Sequence, residues 1–156
     1  MTTSKSKDSL FLDLTKSIRD SQAANQKFDD AVCRALEINR TDGRCFDILD
    51  HHGPMSAGSL AAASGLTSGA VTAVIDRLEE KGYAERLNDP GDRRRVLAGI
   101  TDKGRDAAHR FYMPLAEKAT EEFKDLTVTD LELLIDFHRR VGWIQDDAAN
   151  KILESL

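Results

Sequence analysis

The sequence predicts a mainly α-helical fold that includes one small β-hairpin. Three observations support this. Long stretches repeat apolar residues at helical spacing, two short helical patterns meet around Gly65, and two strand-like runs flank a charged turn at Pro90-Gly91. A helix-turn-helix followed by a β-wing is a shape that fits the DNA major groove with a side arm.

The composition is typical of a soluble globular chain. Its 156 residues can form one compact domain, and hydrophobic and charged residues make up 40% and 31% of them. No run reaches the ~20 apolar residues of a membrane span, and no apolar region of a signal peptide follows residues 1–8, so we expect a cytoplasmic location. The net charge of −5 argues against non-specific coating of nucleic acid. It does not argue against specific DNA binding, which depends on the local field.

Two helices are predicted before the central region. The first runs from Asp8 to about Glu37, with apolar residues four apart. A second runs from Arg44 to His52, with Thr41 as a plausible N-cap, and Gly53-Pro54 ends it.

The helix-turn-helix is predicted from local capping and turn residues. Ser56 caps a short helix that ends near Ala63, and Gly65 provides the turn, where a positive φ costs glycine little. Thr67 caps the second helix, which runs to Lys81 and is followed by Gly82 as a C′ residue. A single apolar stripe faces the core at Val71, Val74, Ile75 and Leu78.

The β-wing and two further helices complete the chain. Strands are predicted at residues 83–87 and 96–100. A helix capped by Thr101 is predicted to run to about Lys124, and Pro114 is expected to kink it or to break a local hydrogen bond. A capping box at Thr129 and Glu132 starts the last helix, which runs to about Leu153. One face of this helix has residues that repeat every 3.5 positions, a pattern that favours pairing with another helix. The residues of this seam are Leu134, His138, Val141, Gln145, Ala148 and Ile152. The helices at both ends of the chain are therefore expected to form a two-fold dimer.

Two motifs resemble the MarR (multiple-antibiotic-resistance regulator) family of bacterial winged-helix repressors. The stretch Asp89-Pro-Gly-Asp-Arg-Arg-Arg95-Val-Leu, followed by Ile100-Thr-Asp-Lys-Gly104, is similar to the family's wing signature. The Leu66-Thr67 start and the Val71-Thr72, Arg77-Leu78-Glu79 and Gly82 positions resemble its recognition helix.

The resemblance implies one domain over residues 1–156. It contains a winged helix-turn-helix lobe at 40–104 and a helical dimerisation lobe at 8–38 and 105–156. It also implies a homodimeric transcriptional regulator, most often a repressor, on a pseudo-palindromic double-stranded DNA operator. Many members bind a small phenolic or anionic effector, and no cofactor is expected.

The residues expected to contact DNA lie on the recognition helix and the wing. The helix face is small and hydroxylated, and the wing carries three consecutive arginines, of which the resemblance assigns Arg94 to the minor groove. Arg77 and Lys81 are expected at phosphates, with pairing to Asp76 and Glu80 within the helix as the competing use. The full set is Thr67, Ser68, Gly69, Thr72, Ala73, Arg77, Lys81, Asp92, Arg93, Arg94 and Arg95.

Other residues bear on effector, redox, metal and enzyme chemistry. His51, His52 and Phe111 are the residues predicted to line an effector pocket. Cys33 is expected to be a small buried apolar residue and Cys45 lies near a helix start, so a redox-sensing regulator stays an alternative. The histidines do not form a ligand set with metal-site spacing, and no nucleophile elbow or phosphate loop predicts an enzyme. A protein-interaction module without DNA binding is the other alternative.

Overall fold

The computed structural model describes residues 6–92 and 94–155. In these residues the helices are α1 (Lys7–Ala35), α2 (Arg40–His52), α3 (Ala57–Ser64), α4 (Ser68–Glu80), α5 (Asp102–Glu122) and α6 (Val128–Glu154). The strands β1 (Met55–Ser56), β2 (Ala84–Asn88) and β3 (Val96–Ile100) form an antiparallel sheet in the order β1–β3–β2. The predicted mainly α fold with a small β-wing is confirmed.

The helix-turn-helix forms as its sequence predicts. The hydroxyl of Ser56 accepts a hydrogen bond from the amide of Ser59 at the start of α3, and the hydroxyl of Thr67 accepts one from the amide of Ala70 at the start of α4. Gly65 has a φ of +70° in the turn between the two helices, a left-handed conformation that glycine adopts without a Cβ penalty. The apolar stripe of α4 is buried as predicted.

Two predicted helix starts were wrong. Asn39, and not Thr41, caps α2, because Asn39 has an extended backbone and its side chain accepts a hydrogen bond from the Asp42 amide. Thr127 and Asp130, and not Thr129 and Glu132, form the capping box of α6. In both cases an equally good capping residue lies two positions earlier in the chain, and the helix begins there.

The strand β1 was not predicted. Met55 pairs with Ala98 and Ser56 pairs with Leu97, which adds a third strand to the predicted hairpin. Gly53, with a φ of +77°, and Pro54 end α2 and release the chain into this extended segment. A strand of two residues shows no alternation that a sequence pattern can reveal.

The hydrophobic core brings together α2, α3, α4, the sheet and the C-terminal end of α1. Its members include Leu36, Phe46, Leu60, Leu78 and Ile100. Gly104 allows α5 to begin close to β2, because a Cβ at this position would overlap the backbone carbonyl oxygen of Tyr83. The core therefore packs α4 and the sheet that bears the wing against each other.

The chain divides into two compact units, Met1–Tyr112 and Met113–Leu156. The second unit contains the end of α5 and all of α6, and the structure records one continuous α5 through Pro114. In the single chain α6 buries none of its residues, and large apolar side chains are exposed along it at Leu131, Leu134, Ile135, Trp143, Ile144 and Ile152.

No single helix among the described residues combines the length and the apolar character needed to cross a membrane. Only α3 and α4 taken together, bent by 105° at the break between them, have both.

Candidate nucleic-acid interface

The exposed face of α4 presents small and hydroxylated residues. Thr67, Ser68, Gly69, Thr72 and Ala73 are all exposed. The hydroxyl of Thr72 donates a hydrogen bond to the carbonyl oxygen of Ser68 at 3.0 Å. Its oxygen is left as an acceptor, and an exposed threonine at such a face offers a hydroxyl oxygen for an adenine or cytosine amine and a methyl group for a thymine methyl. A face without long side chains allows the helix backbone to approach base edges closely.

The acidic residues beside this face are paired with an arginine that the sequence did not single out. Arg86, on β2, donates from Nη2 to Asp76 at 2.6 Å and pairs through Nη1 with Glu79. Both carboxylates belong to α4, so Asp76 pairs with Arg86 and not with Arg77, the pairing considered as the alternative to a phosphate contact. Arg86 offsets two negative charges that would otherwise repel DNA phosphates.

Arg77 pairs with a residue of another helix. Its guanidinium donates from Nε and Nη2 to the carboxylate of Asp42, on α2, at 3.0 Å and 2.5 Å. The Asp42 side chain is 4% exposed and the Arg77 side chain is 45% exposed. Lys81 lies 3.7 Å from the Glu37 carboxylate, at the end of α1, and does not pair with Glu80.

Two aspartates shape the wing turn. The Asp89 carboxylate accepts a hydrogen bond from the Gly91 amide at 2.8 Å, and the Asp92 carboxylate accepts one from the Arg94 amide at 3.0 Å. Arg94 and Arg95 are exposed, and Arg95 lies 3.7 Å from Asp89. Arg93 lies outside the described residues. The Asp92 side chain thus sets the backbone from which Arg94 projects.

The base of the wing is joined to the end of α4. Thr101 donates to the carbonyl oxygen of Gly82 at 2.7 Å, and Lys103 donates to that of Lys81 at 2.5 Å. The Lys103 ammonium also lies 5.0 Å from the centre of the Tyr83 ring. These contacts join the end of α4 to the base of the wing.

A cavity of about 390 Å³ lies beside α1 and α2. The predicted effector residues do not line it. His51 and His52 are exposed at the end of α2 with their rings 4.8 Å apart, and Phe111 packs against the core. Tyr112 does line the cavity, together with Gln26, Asp29, Asp30, Val32, Cys33, Leu36, Ile38, Arg40, Gly43, Arg44, Phe46 and Asp47.

The cavity has a negative electrostatic environment. Burial, followed by the nearby Asp29 carboxylate, raises the pKa of Tyr112 to about 12. Burial and then the same carboxylate also raise the pKa of Cys33. The Tyr112 ring, which lines the cavity, is packed edge to face against Phe28 at 5.3 Å between ring centres.

The two cysteines have environments that disfavour the reactive thiolate. Cys45, near the start of α2, is fully buried, and burial raises its pKa. Cys33 was expected to be buried, but it is only half-buried because it lines the cavity. Among residues 6–92 and 94–155, no three His, Cys, Asp or Glu side chains are grouped as a metal site requires.

Comparisons with known proteins agree with this geometry. The MarR family model matches residues 38–96, which include α2, α3, α4, β2 and the wing turn. The HTH-type transcriptional regulator YcgE of Bacillus subtilis (strain 168) is 35% identical over 125 residues, covering 80% of this chain and 81% of YcgE. The crystal structure of the transcriptional regulator BldR from Sulfolobus solfataricus matches with a TM-score of 0.55 and 28% identity, covering 88% and 99% of the two chains.

A second solved structure shows the same fold at lower sequence identity. A MarR family protein from Bacillus stearothermophilus matches with a TM-score of 0.66 and 15% identity, covering 91% of this chain and 99% of the other. The recognition helix and the wing turn described above lie within the segment that the family model matches. The chain belongs to the MarR family of DNA-binding helix-turn-helix transcriptional regulators.

Proposed function

We propose that this regulator is a homodimeric repressor that releases its operator when a small molecule binds. The observation that carries the proposal is an uncharged, hydroxylated α4 face joined at its C-terminal end to an arginine-bearing wing. In the proposed complex α4 lies in the major groove and Arg94 enters the minor groove. Residues 67–69, 72 and 73 contact base edges or phosphates, and Arg95 and Lys81 contact phosphates.

Exposed apolar residues support the homodimer. Leu134 and Ile152 of the predicted seam are 42% and 62% exposed in the single chain. Exposed apolar side chains also occur near the start of α1, at Leu10, Phe11, Leu12 and Leu14. Covering them with a second copy removes apolar area from water at a gain of about 25 cal/mol per Å². A two-fold dimer places two copies of α4 on successive major grooves of a palindrome.

The cavity supports modulation by a small molecule. Its volume lies in the range of ligand sites, and its walls combine Phe46 and Tyr112 with polar groups. The three carboxylates Asp29, Asp30 and Asp47 outnumber the two guanidinium groups that line it. We therefore favour a neutral phenol over an anion as the effector class. Binding there would act on DNA affinity by favouring one spacing of the two recognition helices.

Selection of binding sites from a random duplex library tests the DNA part of this proposal. The expected result is a two-fold symmetric sequence with half-sites about 10–10.5 base pairs apart and two chains per duplex. Addition of neutral phenols and of matched benzoates to the complex then tests the effector class. The absence of any enriched sequence would favour the protein-interaction module instead.

A further inference from the structure

The first turn of α2 is linked to the recognition helix by a partly buried network, in which the Asp42 carboxylate is buried and Arg77 is half-exposed. The Asp42 carboxylate accepts hydrogen bonds from Nε and Nη2 of Arg77 and, at 2.8 Å, from the side-chain amide of Asn39. The Asn39 side chain is fixed in turn because its oxygen caps α2. Arg77 is thus oriented by a chain of contacts that begins outside the helix-turn-helix.

The network is expected to contribute little to the free energy of folding. A buried carboxylate loses its hydration, and the attraction of its partner does little more than offset that cost. What a two-pronged contact does provide is geometric specificity, because a guanidinium that donates through Nε and Nη2 can hold a carboxylate in one orientation only. Here the two groups lie on different helices, so the contact fixes the rotation of α4 relative to α2.

The rotation of α4 decides which side chains meet the DNA. Successive residues of an α-helix lie about 100° apart around its axis. A rotation of α4 by a fraction of that angle would therefore move Thr72 and Ala73 away from the base edges. The core contacts of α4 are aliphatic, through Val71, Val74, Ile75 and Leu78, and aliphatic contacts are not directional. The Asp42–Arg77 contact adds a directional restraint to this packing.

We propose that Asp42 is a positioning residue for DNA binding, which holds the Arg77 guanidinium and thereby sets the orientation of the recognition helix. Asp42 itself contacts no DNA in this account, since its side chain is buried. The inference rests on the DNA-binding function of the family and does not depend on an effector.

The direction in which Asp42→Asn changes DNA affinity separates positioning from a simple charge effect. Asp42→Asn removes a negative charge near the DNA-binding face, and charge alone would make this variant bind DNA more tightly. If Asp42 acts by positioning, the variant should instead bind DNA more weakly. The side-chain amide that replaces the carboxylate turns a donor group toward the Arg77 donors and loosens the contact. The exposed Glu80 of α4 offers the matched control, since Glu80→Gln removes a charge without touching the network.

The experiment is a double-mutant cycle of operator binding, measured by fluorescence anisotropy at several salt concentrations. It compares the wild type, Asp42→Asn, Arg77→Lys and the double variant, with Glu80→Gln as the control. Each protein is measured at a temperature at which circular dichroism shows it to be fully folded. Arg77→Lys keeps the positive charge on a half-exposed position and so tests the network even if Asp42→Asn fails to fold.

We expect Asp42→Asn and Arg77→Lys each to weaken operator binding about tenfold, and the double variant to bind no more weakly than either single variant. The salt dependence should stay that of the wild type, because no phosphate contact is lost. Glu80→Gln should bind at least as tightly as the wild type. Binding by Asp42→Asn or by Arg77→Lys that equals or exceeds wild-type binding would overturn the proposal. Losses that multiply in the double variant would also overturn it, since they would show that the two residues act independently.

Discussion

Gly43 of α2 lies directly against the Cys33 side chain of α1. A Cβ on Gly43 would overlap the Cys33 Sγ, so the two helices approach closely because position 43 has no side chain. This contact sets the spacing between α1 and α2, and both residues line the cavity.

Gly43→Ala should therefore destabilise the fold by about 1–3 kcal/mol, the usual cost of inserting a methyl group into a packed contact. Chemical denaturation measures this change in the free energy of unfolding. Gly58→Ala is the control, because position 58 of α3 meets only a side-chain oxygen at 3.9 Å. In the double variant Cys33→Ala/Gly43→Ala, removal of the sulfur should restore most of the loss. A double variant as unstable as Gly43→Ala would contradict this explanation.

Arg86→Met should weaken operator binding by about 1 kcal/mol, because it exposes Asp76 and Glu79 to the DNA phosphates without compensation. Anisotropy titrations at low salt measure the effect, and added Asp76→Asn should recover part of it. Arg105→Met removes the same charge from an exposed arginine paired with Asp102 near the start of α5. Equal losses in the Arg86 and Arg105 variants would show that only net charge matters.

Stability should fall as the pH rises from about 10 to about 12, partly because of Tyr112. The pKa of this phenol is about 12 in the folded chain against an ordinary value of 10.0, so the unfolded chain loses the proton first. The folded state is then favoured less as the pH passes through this window, by an amount on the order of 1–2 kcal/mol. Urea denaturation of the wild type and Tyr112→Phe at pH 8 and pH 11.5 isolates the contribution. A pH dependence as steep in Tyr112→Phe as in the wild type would assign the loss to other groups.

Leu134→Glu should convert the proposed dimer to a monomer, because it puts a charge into the apolar seam of α6. Sedimentation velocity measures the change in mass, and operator affinity should fall more than tenfold as the two half-sites are no longer bound together. Glu132→Ala, on the same helix, is the matched control. A wild-type protein that sediments as a monomer at micromolar concentration would contradict the dimer directly.

The elements around the recognition helix could be predicted because their signals are local. Ser56, Gly65 and Thr67 act on backbone groups within three residues, so the sequence alone locates them. The strand β1 could not be predicted, since two residues carry no period. The observed N-caps of α2 and α6 lie two positions before the predicted ones. Both positions hold good capping residues, so only the backbone conformation shows which one caps the helix.

For the candidate site, the exposed residues of α4 and the wing could be located from the sequence, but the contacts that support them could not. The hydroxyl face of α4 and the wing arginines follow from helix periodicity and turn residues. The Asp42–Arg77 contact joins residues 35 positions apart, and nothing in the local pattern marks Asp42 as buried. Arg86 pairs with α4 only because β2 folds back along it, and the cavity collects residues from distant segments. His51 and His52 do not reach that cavity, because they lie at the opposite end of α2 from Arg40 and Gly43.

The most direct test of the central claim is an anisotropy titration of the selected operator with wild type, Arg94→Ala and Arg139→Ala. The last variant removes an arginine from α6, far along the chain from the wing. If α4 and the wing read DNA as proposed, Arg94→Ala should lose about 1–3 kcal/mol of binding free energy, and Arg139→Ala should bind as the wild type does. Equal binding by Arg94→Ala and the wild type would contradict the minor-groove role of the wing.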